Sequence, residues 1–266
     1  MTSLHPNDST PATPGSRLAG RTAVVTGSTS GIGAAIARVL AGEGAHVIVS
    51  GRQATRGERV VEEIRQAGGR ADFVAADLGG SYEQLRAFAG QATDALGGRV
   101  DILVNNAGIY PATLTEGLPD ADLDAMLAVN VRAPHVLVAA MAPAMAERGS
   151  GVIVTIGSWM ARVGSPFAAM YTATKAVDEQ LTRSWAAEYG PRGVRVNTVA
   201  PGVTLTPGNE AHRAQLDAMT ATTPAGVVVR ADDIAKGVLY VVSDDAAMVH
   251  GITLYVDGGI SATRLA

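Results

Sequence analysis

The chain has 266 residues, 47% hydrophobic and 17% charged, with a net charge of −4 and a pI near 5.7. That size and apolar content suit one large α/β domain, and the acidic balance argues against a nucleic-acid partner. Cysteine is absent, which excludes disulfides and thiolate chemistry, and the five histidines are scattered without metal-ligand spacing, so no metal site is expected.

The N-terminus reads MTSLHPNDSTPATPGSR, Pro/Ser/Thr-rich and without the apolar core of a signal peptide. Residues 1–19 are expected to be a mobile tail and 20–266 a single domain. No uninterrupted apolar run reaches the ~18 residues of a membrane span, so a cytoplasmic protein without a membrane partner is expected. From Thr22 onward, short β-branched runs alternate with longer Ala-rich stretches. Strands are predicted over 23–26, 46–50, 71–75, 102–105, 151–156, 194–199 and 253–256. Helices are predicted over 31–43, 56–67, 82–96, 121–148, 170–189 and 232–243. The alternation describes βαβ units: an α/β fold with a doubly wound parallel sheet of about seven strands, helices on both faces, and ligands at the carboxyl ends of the strands. Aromatics make up only 4%, so Val, Ala, Leu and Ile must build the core, as in buried parallel sheets. Pro134 and Pro143 fall inside the long fifth helix and should kink or interrupt it. The stretch 201–229, punctuated by Pro, Gly and Thr, is expected to be a substrate loop.

Three clusters carry chemistry. Gly27, Gly31 and Gly33 lie in TGSTSGIG (26–33), after the first predicted strand and at the start of the first helix. Glycine there allows a tight turn and lets the backbone approach a pyrophosphate, which the helix N-terminus stabilises. An ordinary strand-to-helix turn is the alternative, since the GxxxGxG spacing differs from the GxGxxG fingerprint. YTATK (171–175) sets Tyr171 and Lys175 four residues apart, on one face of a predicted helix. A tyrosine, with a reference pKa of about 10, is a poor acid or base near neutral pH, and a neighbouring ammonium favours its ionised form. Alone, such a pair is equally a solvated tyrosine beside a solvated lysine. Here Ser158 lies thirteen positions upstream, and the glycine turn precedes both.

Together with Asp77 in AADL, NNAG (105–108), Asn130 in AVNV, PG (201–202) and VDGG (256–259), these pieces resemble the short-chain dehydrogenase/reductase family over residues 20–260. The resemblance implies a Rossmann-type fold and an oxidoreductase that interconverts a ketone and a secondary alcohol with NAD(P)(H). It implies a tetrad of Asn130, Ser158, Tyr171 and Lys175. Tyr171 would exchange a proton with the substrate oxygen. Ser158 would hydrogen-bond the same oxygen, its structural alternative being a strand-end cap. Lys175 would assist Tyr171 and bind the nicotinamide ribose. Asn130 resembles the helix-kinking asparagine whose backbone holds a water linking Lys175 to solvent; satisfying backbone groups at the break before Pro134 is the other reading. Gly27, Ser30, Gly31, Ile32 and Gly33 would line the pyrophosphate, Asp77 and Leu78 the adenine, and Asn105 with Ala107 and Gly108 the adenine ribose. Pro201, Gly202 and either Thr204 or Thr206 would hold the carboxamide.

At the end of the second predicted strand, an NAD enzyme carries an acidic residue for the ribose 2′-hydroxyl. Here Gly51 and Arg52 stand instead, which predicts NADP(H) as the preferred cofactor, with NAD(H) possible. The expected pocket wall is apolar: Tyr110, Trp159, Met160, Val203, Leu205 and Met219, with Arg162 nearby in sequence. An uncharged ketone or secondary alcohol is therefore expected. The runner-up, a 3-oxoacyl-carrier-protein reductase, would use Arg132 and Arg183 for an acidic carrier. A non-catalytic dinucleotide-binding regulator is the alternative of another class; a methyltransferase would not need YxxxK or NNAG. Relatives pair the helices predicted over 121–148 and 170–189 across subunits, so a homotetramer or dimer is expected.

Overall fold

Short β-branched runs form strands because Val and Ile pack well on a pleated, doubly covered surface. In the computed structural model, which describes residues 15–263, nine strands alternate with eight α-helices. The strands are β1 (Thr22–Val25), β2 (His46–Gly51), β3 (Arg70–Ala75), β4 (Ile102–Asn105), β5 (Gly151–Ile156), β6 (Val194–Pro201), β7 (Thr204–Leu205), β8 (Val229–Arg230) and β9 (Thr253–Val256). The helices are α1 (Gly31–Gly42), α2 (Ala54–Gln66), α3 (Tyr82–Ala95), α4 (Asp120–Leu127), α5 (Ala133–Glu147), α6 (Ala169–Tyr189), α7 (Arg213–Thr220) and α8 (Ala231–Val242).

Seven strands make one parallel sheet in the order β3-β2-β1-β4-β5-β6-β9. The order reverses between β1 and β4, which opens a crevice at their carboxyl ends. One face is covered by α1, α2 and α8, with Ile36, Leu40, Ile64, Ile234 and Val238 in its core. The other is covered by α3, α5 and α6, with Leu85, Phe88, Leu137, Met141 and Trp185. This is the Rossmann-type doubly wound architecture expected from the alternation.

Three departures are instructive. The helix predicted over 121–148 is broken by a π turn, Ala128–Arg132, immediately before α5. Pro134 has no N–H for the carbonyl of Asn130, four residues back, so regular α-helical bonding lapses there, whereas Pro143 sits inside α5 without ending it. The stretch 201–229 is not one loop, since it contains β7, α7 and the start of β8, and β7 pairs with β8. Of the expected tail 1–19, residues 1–14 lie outside the described residues, whereas from Gly15 the chain is held. Gly15 N and Arg17 N donate to Glu43 Oε2 at 3.1 and 3.3 Å, and Leu18 is buried. Among the described residues, the stretch Asp120–Glu147 is long and apolar enough by length and composition to cross a membrane, yet half of its apolar stretch is buried within the fold. Ala140 and Ala144 on α5 are exposed, whereas Val136, Leu137 and Trp185 belong to the intrachain core.

Candidate active site

Each chemically interesting segment follows a strand at the same end of the sheet: the glycine turn after β1, NNAG from the end of β4, Ser158 after β5, and PG at the end of β6. The first two are joined directly. Thr26 Oγ1 accepts from Asn106 N at 3.0 Å and Ala107 N at 3.2 Å, and Asn106 Nδ2 donates to Thr26 O at 2.8 Å and to Gly27 O at 3.2 Å. Thr26 and Asn106 were not among the expected site residues; their signal was adjacency to two motifs on neighbouring strands.

The glycine turn fits a dinucleotide by its own geometry. Gly27 has φ +63°, and a Cβ there would lie 2.9 Å from Ala107. A Cβ on Gly33 would lie 2.5 Å from Gly27 O and 2.4 Å from Asn106 Nδ2. Only glycine leaves this cradle open. Ser30 is the N-cap of α1 but makes no side-chain cap, and the first turn carries no acidic residue, so the helix N-terminus faces outward with free N–H groups. Ile32 lies half-buried behind it. Across the opening, the Thr206 methyl approaches to 3.5 Å of where a Gly31 Cβ would stand. Thr206 N is held by Asn209 Oδ1 at 2.8 Å. Thr204 turns its hydroxyl onto Gly202 O at 3.0 Å and is buried, so of the two threonines it is Thr206 that faces the glycine turn. Gly202 is backed by Asp257 of VDGG, and Gly202 N donates to Val256 O at 3.1 Å. Pro201 is buried at the end of β6.

At the adenine end, Asp77 is exposed and accepts from Gly79 N at 3.0 Å through Oδ1, and Leu78 is buried beneath it. Asn105 is buried with neither side-chain polar atom partnered by protein, an arrangement that leaves its amide for a ligand or solvent. Arg52 is exposed at the end of β2. Beside Gly51, the Thr29 methyl would stand 2.7 Å from an added Cβ, so Thr29 occupies the space an acidic side chain would enter. Thr29 is a further residue the motif reading missed.

The reacting end is organised by α6 and the π turn. Asn130 is buried; its Oδ1 accepts from Ile109 N at 2.9 Å, and its Nδ2 donates to Ile109 O and Thr174 Oγ1, both at 3.1 Å. The side chain therefore ties the chain after NNAG to α6, while the π turn leaves the asparagine's carbonyl without a proline donor. Ser158 is buried, caps the short 3₁₀ turn Trp159–Arg162, and accepts from Met160 N at 3.2 Å. Tyr171 lies at the start of α6 with its ring centroid 4.6 Å from that of Tyr110. Burial beside Tyr171 raises the Tyr110 hydroxyl above the usual phenol range. Lys175 is buried, with Nζ 6.0 Å from the Tyr171 ring centroid, and donates to Ile156 O at 2.8 Å and Asp178 Oδ2 at 3.0 Å. A Cβ on Gly108 would lie 3.7 Å from that Nζ and 3.5 Å from Asn130 Oδ1, so NNAG, the asparagine and the lysine converge. Burial opposes the ammonium, but Asp178 and Tyr171 outweigh it and hold Lys175 above the usual lysine range.

The pocket reading is revised in part. Tyr110 is half exposed at the mouth, and Trp159, Met160 and Leu205 are partly buried. Val203 is instead packed away, its carbonyl accepting from Val229 N at 3.0 Å, because β7 and β8 pair just beyond it. Met219 is exposed on α7. A groove reaching Tyr171 is lined by Pro111, Leu114, Leu118, Met126 and Met170, apolar residues that motif spacing had not placed there. Arg132 donates to Gly79 O and Gly80 O at 2.9 and 2.5 Å and lies over Tyr82, so it is engaged within the chain rather than displayed to a carrier. Arg183 is exposed and donates to Gln180 Oε1 at 2.7 Å. Arg162 lies over the Tyr255 ring and 3.8 Å from Glu179. No group of His, Asp and Glu suited to a metal ion occurs among the described residues.

Comparisons with known proteins agree with this geometry. A model of the short chain dehydrogenase family matches residues 21–217. The chain is 37% identical over 259 residues to the D-threitol dehydrogenase of Mycolicibacterium smegmatis, with 91% of this chain and 94% of that one covered. A solved short chain dehydrogenase from Burkholderia cenocepacia in complex with NADP superposes with a TM-score of 0.85 at 40% identity, covering 92% and 100% of the two chains. A solved 7α-hydroxysteroid dehydrogenase, complexed with NADH and 7-oxo glycochenodeoxycholic acid, superposes with a TM-score of 0.86 at 37% identity, covering 91% and 95%.

Proposed function

The chain belongs to the short chain dehydrogenase family and is an oxidoreductase acting on CH–OH/C=O groups with a nicotinamide dinucleotide, and from that premise we propose that it interconverts an uncharged ketone and a secondary alcohol with NADP(H) preferred. The observation that carries this reading is the convergence of Tyr171, Lys175, Asn130 and Gly108 beside the glycine cradle at the sheet's switch point. When bound, the nicotinamide supplies or takes up the hydride. Gly27, Gly31 and Gly33 with the α1 N-terminus would hold the pyrophosphate, and Thr206 would hold the carboxamide. Tyr171 delivers its hydroxyl proton to the carbonyl oxygen, or receives it in the reverse direction. Ser158 donates to the same oxygen as charge develops on it. Lys175, charged, favours the phenolate that proton transfer leaves behind. The mostly apolar side chains beside Tyr171 suit a substrate without a formal charge.

NADP(H) is favoured by what surrounds a 2′-phosphate. Gly51 contributes no carboxylate, Arg52 is exposed beside it, and the Thr29 side chain fills the adjacent space. The test is NADPH oxidation against a panel of cyclic and acyclic ketones. Tyr171→Phe is expected to lower kcat by roughly 10²- to 10⁴-fold while leaving NADPH binding intact. NADPH binding with no turnover by the wild type across the panel would identify a dinucleotide-binding regulator instead.

A further inference from the structure

Asp178 enters none of the motifs, yet it is among the most enclosed charged groups in the molecule. Its side chain is 2% exposed and that of its partner Lys175 6%. Oδ2 receives Lys175 Nζ at 3.0 Å, while Oδ1 is buried without a protein partner. A buried ion pair is a poor device for stability alone, because desolvating two charges costs about as much as their attraction returns, and an apolar pair of similar volume commonly does better. The pair also sits at a particular place. Nζ is fixed between Asp178 and Ile156 O, two residues before Ser158, which leaves one of its three N–H donors toward Tyr171 and the NNAG turn.

We propose that Asp178 is a positioning residue for the reaction: the counter-ion that keeps the Lys175 ammonium charged and seated at the end of β5, so that Tyr171 always has a cation at its side. This rests on the oxidoreductase reading of the same site. The charged and titratable groups around the pair are Tyr171 and Glu179 on α6, the latter turned toward Tyr255 on β9 and Arg162 on the 3₁₀ turn. Burial and neighbouring Glu179 hold the Asp178 carboxyl above the usual range, whereas Lys175 pulls it back. Removing the carboxylate removes a negative charge from the Tyr171–Lys175 pair, so the pair must release its first proton at lower pH.

The chain has only two lysines, Lys175 and Lys236, which permits a direct reading. In protein carrying lysine labelled with ¹³C at Cε, the Lys175 resonance of Asp178→Asn is expected to titrate at a pH lower by on the order of one unit, with exposed Lys236 as the internal reference. The rising limb of kcat/KM for oxidation of the best alcohol in the panel should move the same way, with KM for NADP⁺ changing less than kcat. Asp178→Glu should restore both. In a Lys175→Met background, Asp178→Asn should produce no further movement of the limb. Unchanged Lys175 titration in Asp178→Asn would overturn the proposal. Should Asp178→Asn fail to fold, the wild-type Lys175 titration decides: a value at or below that of Lys236 overturns it, a higher one supports it. Because the resonance is read without substrate, its outcome is separate from whether any alcohol is turned over.

Discussion

At the scale of single residues, the least expected assignment is Thr29. Sequence spacing pointed to Gly51 and Arg52 as the arbiters of cofactor choice, which makes an acidic side chain at position 51 the natural change toward NAD. The space for that carboxylate is occupied by the Thr29 methyl, 2.7 Å from the new Cβ, whereas the Thr29 Cβ itself lies 3.6 Å away. Gly51→Asp alone should therefore cut kcat/KM with NADPH by about tenfold or more, through loss of a favourable 2′-phosphate environment, and gain little with NADH. Thr29→Ala combined with Gly51→Asp should gain substantially more with NADH. An NADH/NADPH ratio of kcat/KM that is equal in the two variants would sink the role given to Thr29. Side-chain competition of this kind is invisible in a sequence, because Thr29 and Gly51 belong to different βα turns.

At the scale of elements, the π turn between α4 and α5 converts a helix defect into a joint. Asn130 places three hydrogen bonds across that joint, to Ile109 and to Thr174. Asn130→Ala would leave the part-buried Ile109 N–H and C=O without their partner, while the Thr174 hydroxyl keeps its bond to Tyr171 O, and should destabilise the protein by about 1–3 kcal/mol. Activity measured well below the new midpoint should also drop, since the NNAG turn loses its tether. Urea unfolding and kcat at the same temperature separate the two effects. Proline at 134 announced a break but not its form: the sequence pattern shows the missing N–H, whereas the location of the displaced carbonyl depends on how α6 packs nearby. The strands were legible almost to the residue, since an all-parallel sheet demands continuous Val/Ile runs. The elements within 201–229 were not, because β7 and β8 are only two residues each and owe their form to tertiary pairing. Likewise Tyr171, Lys175 and Ser158 were readable as motif residues, whereas Asp178 looked like one more helical acid until its burial was known.

At the scale of the whole molecule, charge sets the pH limits. Glu43 is held below the usual carboxylate range by Arg17, and Asp233 by the Arg230 backbone N–H. Burial alone would raise Asp101, but Arg99 and Thr22 more than offset it, so it too lies low. Groups depressed in the folded state contribute stability that is complete above their unfolded pKa of about 4 and disappears as pH falls through the folded value. Lys175 is raised, so its contribution is complete below the unfolded lysine value and declines as pH rises through the folded one. Urea midpoints should thus form a plateau around neutrality with an acid decline that is shallower in Asp101→Asn; identical acid slopes in variant and wild type would remove Asp101 from this account.

The pairing of β1 with β4 has a further consequence, for assembly in time. These strands meet only after β2, β3 and three helices have been made between them, and contacts so distant along the chain form slowly. The seam stitched by Thr26 and Asn106 is thus expected to close late in folding. A nascent or partly collapsed polypeptide offers the nucleotide nothing to grip, so abundant cofactor can secure the finished protein without hastening the steps that lead to it.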